Sequence, residues 1–245
     1  MTELFASPTL VGLMLEAAGV MMIAILCLML MRTIRRPPLV PWTAGWISLL
    51  IALTTLLLAL QMPAGAMVLL PIYVYFTYVF GYLVFAGCRE YASGRPVGPA
   101  DWPAALALVV PAVALPVAAR GQFNAFFAFH SVIDAYLFVL AWRQLRTVTP
   151  GSRTAAGVFV LRSALVLLAL ASLLYAPASA AASIGWTEPD PPYLAYASLY
   201  DLLLLMLLGF GMIMVATGEV QSDLEVARDR LAGVAQTDHL TSAFN

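Results

Sequence analysis

Five ionisable residues interrupt otherwise apolar stretches of this chain: Glu16, His130, Asp134, Arg162 and Asp201. Inside a bilayer each such group costs about 2.5–3.5 kcal/mol on insertion scales, so it faces a bundle interior, a wet cavity or another polar group. His130 and Asp134 stand one helical turn apart and therefore share a helix face. One imidazole with two or three carboxylates can relay protons. The same set, with His130 and Asp134 as first ligands, would suit a divalent metal such as zinc, manganese or iron. Haem would need a second axial ligand, a methionine, because His130 is the one histidine within the apolar runs. The bland readings are an Asp134–Arg162 ion pair joining two helices, a hydrogen-bonded interior histidine, and a Glu16 that sets helix register in a dimer. Tyr73, Tyr75, Tyr78, Tyr196 and Tyr200 add phenols at similar positions, either as packing groups or as ligand contacts.

The elements that must position these groups follow from composition. Hydrophobic residues make up 62% of the 245 and charged residues 10%, with a mean hydropathy of +0.92. That is a polytopic membrane protein rather than a soluble one. Seven apolar runs are long enough to cross a ~30 Å hydrocarbon core, which takes about 20 helical residues. They are Pro8–Met31, Trp42–Leu60, Ala66–Phe85, Trp102–Ala119, Phe123–Trp142, Thr154–Tyr175 and Tyr193–Ala216. Helix is the form expected for each, because unpaired backbone cannot face lipid. The first run lacks the basic leading end and cleavage site of a signal peptide and reads as a retained helix.

Arginine sets the expected orientation. Arg32, Arg35, Arg36, Arg89, Arg95, Arg143, Arg146 and Arg153 follow spans one, three and five, whereas the alternate connections carry only Arg120. The positive-inside rule then puts the N-terminus outside and the C-terminus in the cytoplasm. Trp42, Trp102, Trp142 and Trp186 fall at span ends, as interfacial anchors do. The connection from Ala176 to Pro192 is too short for an ectodomain, so any stimulus must be met in the bundle, its outer mouth or the lipid. Counting along the helices puts Glu16, His130 and Asp201 at one level of the outer half, with Asp134 a turn deeper. An outward-opening pocket of Glu16, His130, Asp134 and Asp201 is expected, with Arg162 beneath as counter-charge.

Several classes are excluded. The chain has no lysine, hence no retinal Schiff base. Its net charge of −1 and lack of a basic stripe argue against nucleic acid. Cys27 and Cys88 lie near the inner ends of their spans, where a reducing compartment makes them packing residues rather than a disulfide.

Beyond the last span, Val220, Leu224, Ala227, Leu231 and Val234 alternate by four and three, the spacing of a heptad seam, among Glu219, Asp223, Glu225, Arg228, Asp229 and Arg230. A helix lying on the bilayer would have a strongly basic polar face; this acidic one is built to pair in a parallel homodimer. After it come Asp238, Leu240, Thr241 and Asn245, which match D-x-L-T-G-L-x-N-R, the opening of the GGDEF family, with Ser242 and Ala243 in place of the glycine and leucine. With the charged helix before it, residues 218–245, the resemblance covers about a tenth of the chain. This resemblance implies a bacterial inner-membrane diguanylate cyclase, with GTP and magnesium bound only in an output domain whose glycine-rich turn lies past residue 245. It also implies that Asp238 marks the junction with the signalling helix and that Asn245 helps recognise guanine.

The expected organisation is all-α: a seven-helix transmembrane sensory domain over residues 1–217, a cytoplasmic signalling helix over 218–236, and the first residues of a GGDEF domain over 237–245. This chain itself would be no enzyme. Its expected partners are membrane lipid, a second copy, and a small ligand, metal or membrane protein of unspecified identity. The competing readings are a small-solute or proton-coupled transporter, against which the lack of an internal repeat weighs, and a scaffold whose polar groups only pack helices.

Overall fold

The computed structural model describes residues 8–119, 123–149, 151, 153–184 and 196–242, with backbone alone at 8, 63, 123 and 234–242. These residues are all-helical, and seven helices are long and apolar enough to cross a membrane. They are α1 (Pro8–Ile34), α2 (Leu39–Gln61), α3 (Ala66–Ser93), α4 in two pieces (Trp102–Ala107 and Val109–Ala118), α5 (Phe123–Arg146), α6 (Ala155–Ser183) and α7 (Ala197–Ser242). Several outrun their apolar segments, because hydropathy marks only the part that meets lipid whereas the hydrogen-bond ladder continues beyond it. Thus α3 runs on from Phe85 to Ser93, where Gly94 takes a left-handed φ of 67° and donates its N–H to the Glu90 carbonyl.

Two expectations about the elements need correction. The fourth span is not one helix: it opens with a 3-10 turn, Pro99–Asp101, and breaks at Leu108. Pro111 lacks the N–H that would bond the Ala107 carbonyl, which accounts for the break. The connection expected from Ala176 is helical through Ser183, with Pro177 inside α6. The last span and the segment after it form one helix, α7, which is continuous across residues 217–218 and 236–237, as expected of a segment that continues the membrane helix. Its 46 residues reach ~69 Å at 1.5 Å each, and no proline interrupts it.

The helices pack as a ring in the order α1, α2, α3, α5, α6, α7, closed by contact between α7 and α1. The helix α4 stands outside the ring against α3 and α5. Its two pieces are joined to α3 by Asp101, whose carboxylate accepts both Arg89 Nη atoms at 2.8 and 2.9 Å and the Gly98 N–H at 2.9 Å. Close helix approach depends on missing side chains. A Cβ at Gly211 of α7 would lie 2.7 Å from the Leu161 backbone nitrogen, and one at Gly157 of α6 would lie 2.7 Å from that of Val215. Small residues permit such backbone contact where lipid supplies no hydrophobic drive between helices.

The main apolar core fills the end of the ring that carries the arginine loops, around Trp42, Trp46, Phe80, Leu161, Leu165, Leu208 and Met212. Trp42 is therefore no interfacial anchor. Only 1% exposed, it lies flat against α3 where a Cβ at Gly87 would sit 2.3 Å from its Nε1. Trp102 is 63% exposed, and Trp142 carries Arg146 over its ring at 6.0 Å; Trp186 lies outside the described residues. Cys27 and Cys88 are buried and unbonded, as packing residues would be.

Candidate functional site: a polar chamber inside the ring

At the end of the ring opposite the arginine loops, α1, α3, α5, α6 and α7 each turn a polar side chain inward. A chamber of about 90 Å³ lies among them, lined by Glu16, Tyr73, His130, Asp134, Tyr175 and Asp201, with Thr77, Ser131 and Ser172 between apolar walls that include Leu49 and Leu53 of α2. That volume admits a few water molecules. It is far below the ~300–1,000 Å³ of sites that enclose an organic ligand.

The α5 geometry follows from the one-turn spacing. His130 Nε2 lies 3.2 Å from Asp134 Oδ2 and 3.4 Å from the Tyr73 hydroxyl. One nitrogen thus faces two partners, and it cannot serve both in the same protonation state. With a proton on Nε2 it donates to the Asp134 carboxylate; without one it accepts from the Tyr73 O–H. The imidazole is held between rings: Phe126 stacks on it at 5.7 Å and 7°, with Tyr78 at 5.3 Å and Phe127 at 5.9 Å. His130 is 2% exposed, and its Nδ1 finds no hydrogen-bond partner among the described residues.

Asp201 of α7 accepts the Tyr175 hydroxyl of α6 at 3.3 Å. It stands close enough to Glu16 and to Asp134 for the three carboxylates to act on one another, and Ser198, one turn before it, hydrogen-bonds Glu16. Among the described residues no arginine lines the chamber. Four of the expected pocket residues are thus brought together. The fifth is not.

Arg162 points away, toward the arginine-rich end. Its Nε donates to the Leu145 carbonyl at 3.1 Å and its Nη2 to the carbonyls of Leu145 and Val148. Leu145 is eleven residues past Asp134, ~16 Å along the helix, so the expected counter-charge beneath Asp134 is instead a cap on the carbonyls that end α5. The Leu145 carbonyl already accepts the Val148 N–H at 3.0 Å, and its second lone pair, with the Val148 carbonyl, takes the guanidinium's donors.

Of the tyrosines, Tyr73 reaches the chamber and Tyr78 lies beside His130, whereas Tyr196 and Tyr200 are 48% and 56% exposed and face outward. Tyr75 is half-buried beside Phe76. Tyr175, Ser172, Thr77 and Ser131 were not expected. Thr77 follows Tyr73 by one turn and Ser131 adjoins His130, a legible signal; Tyr175 read as the end of a span and enters the chamber only because α6 continues past it. Among the described residues no three His, Cys, Asp or Glu side chains converge as a metal site.

The heptad lies at the far end of α7. Val220 is half-buried at the root, Leu224 is 64% and Leu231 71% exposed, and Ala227 is exposed between them. Arg36, in the α1–α2 connection, pairs with Asp223 and lies 3.8 Å from Glu219, while Arg153, before α6, pairs with Glu225. The side chains of Val234, Asp238, Leu240 and Thr241, and Asn245 altogether, lie outside the described residues. Comparison of the chain with protein-family models, with curated proteins and with solved structures finds no match.

Proposed function

We propose that this chain is a membrane sensory module in which the chamber biases the position of α7, and α7 carries that bias to an output domain. The observation that supports it is continuity: Asp201 in the chamber and Leu224 and Leu231 on the heptad face belong to one unbroken helix. The twenty-three residues from Asp201 to Leu224 span ~35 Å. Leu224 and Leu231 stand uncovered beyond the bundle, and a parallel homodimer would bury them. The arginine loops put that end of the bundle in the bacterial cytoplasm and the chamber in the outer half of the inner membrane. The resemblance of residues 238–245 to the start of a GGDEF domain makes the output a diguanylate cyclase, whose product joins two GTP molecules held, with magnesium, by two facing chains. The chamber's own occupant is water-sized, a proton or a small ion.

Oxidative cross-linking in native membranes tests this reading. Leu224→Cys and Leu231→Cys should each yield covalent dimers, and Asp201→Asn should change that yield, since ~1.4 kcal/mol of bias alters a two-state ratio tenfold. With the chain joined in frame to a diguanylate cyclase domain, cellular cyclic di-GMP should change in the same sense. Absence of dimers at both positions, or dimers indifferent to both Asp201→Asn and Glu16→Gln, would sink it.

A second reading, proton-coupled transport, draws on the two-way contact of His130 Nε2 with Asp134 and Tyr73. It predicts solute or proton flux in proteoliposomes that His130→Ala abolishes. Cross-linking at Leu224 would then be unaffected.

A further inference from the structure

A second cavity lies at the arginine-rich end, far from the chamber. It measures about 440 Å³ and is bounded by Arg36, Pro37, Glu90, Tyr91, Pro96 and Glu219. Its walls come from the α1–α2 connection, the end of α3 and the root of the projecting part of α7. Glu90 is the unexplained member. It is 8% exposed and lines the cavity, and among the described residues its carboxylate makes no ion pair or hydrogen bond, feeling Arg89 only through space. Its neighbour Arg89 is committed to Asp101 in a two-pronged pair. That carboxylate opens onto water-accessible space rather than into the packed interior, so a cation that enters the cavity can take it as a charged hydrogen-bond partner.

Charge says what that something is. Glu90, Glu219 and Asp223 stand against the single guanidinium of Arg36, which already serves Glu219 and Asp223. An anion would meet two carboxylates; a cation is drawn in. The volume falls in the range of organic ligands rather than of a bare ion, and the wall offers the Tyr91 ring and proline rings to an alkyl or delocalised cation. We infer that this cavity is a binding site for a small organic cation, a guanidinium or primary ammonium, held by Glu90 and Glu219 at the root of α7. Binding draws Glu219 away from Arg36 and so loosens the hold of the α1–α2 connection on α7. The site does not depend on the chamber's role.

Isothermal titration of the full chain in nanodiscs tests it, with butylguanidinium and butylammonium as probes, butanol as the uncharged control and empty nanodiscs as blank. Saturable one-to-one binding of both cations, none of butanol, and a loss of about tenfold or more in affinity in Glu90→Gln are expected, the size of one charged hydrogen bond. If Glu90→Gln is misfolded by size-exclusion chromatography, Glu219→Gln carries the same expectation. Heats no larger than those of the blank, or affinity unchanged in both variants, overturn the site. A spin label at Val226→Cys should gain mobility on saturation with butylguanidinium; unchanged mobility despite binding overturns the release of α7.

Discussion

Tyr175 donates its hydroxyl to Asp201 across 3.3 Å, and this bond ties α6 to the one helix that leaves the bundle. The same pair of helices meets again at Gly157 and Gly211, backbone against backbone. Between these two contacts α7 has little freedom to shift without breaking one of them. A signal in the chamber therefore has a short path to the projecting helix.

Removing the hydroxyl should show this. Tyr175→Phe is expected to lower the stability of the bundle by about 0.6–2 kcal/mol, the measured range for hydrogen bonds between membrane helices. It should also alter Leu224→Cys cross-linking in the same sense as Asp201→Asn. Thermal unfolding in nanodiscs and the cross-linking yield measure the two effects. A destabilised protein with unchanged cross-linking would leave Tyr175 a packing group.

The lower contact predicts a different failure. Gly211→Ala puts a methyl group where only 2.7 Å separates it from the Leu161 nitrogen, and backbone has nowhere to retreat. A loss of about 1–3 kcal/mol is expected from such overpacking. Gly233→Ala, whose Cβ would meet nothing within 4 Å, should be neutral or slightly stabilising by the helix preference for alanine. Unfolding midpoints of the two variants, compared side by side, check both signs.

The position of Arg162 can be read by a double-mutant cycle. Arg162→Met should cost about 1–3 kcal/mol, because the Val148 carbonyl loses its guanidinium donor and the Leu145 carbonyl keeps only the Val148 N–H. Asp134→Asn combined with it should be additive within ~0.5 kcal/mol, as for groups without shared partners. A coupling well above that would restore the Asp134–Arg162 ion pair in place of the cap.

Arg36 and Arg153 hold α7 from two sides through exposed acids, and exposed pairs contribute only about 0.2–1 kcal/mol each. Arg36→Gln with Arg153→Gln should therefore leave the melting point nearly unchanged. Hydrogen exchange over residues 219–231 should rise, and in the parent it should rise with salt, which screens such pairs. Exchange that is unaltered in the double variant would show that helix packing alone holds this part of α7.

Much of the fold was legible in order. Seven spans follow from the thickness of hydrocarbon and from the backbone's need for internal hydrogen bonds, and both are properties of local sequence. Counting 1.5 Å per residue from the span ends was enough to place Glu16, His130 and Asp201 at one level, and the His130–Asp134 contact follows from a spacing of four. The heptad spacing of α7 is likewise legible, because Leu224 and Leu231 stand exposed beyond the bundle, where an apolar stripe has meaning.

Within the membrane the same stripe means nothing, since lipid and interior are equally apolar. No pattern in α6 tells which face of the helix meets α7, so Arg162 could be assigned a depth but not a direction, and it turned to the carbonyls at the end of α5. Nor does hydropathy say that α4 stands outside the ring, that Trp42 turns inward onto Gly87, or that α7 closes against both α1 and α6. Those choices rest on glycine-sized gaps and on the satisfaction of a few polar groups. Sequence set how many helices cross and at what height each charge sits; packing decided which charges meet.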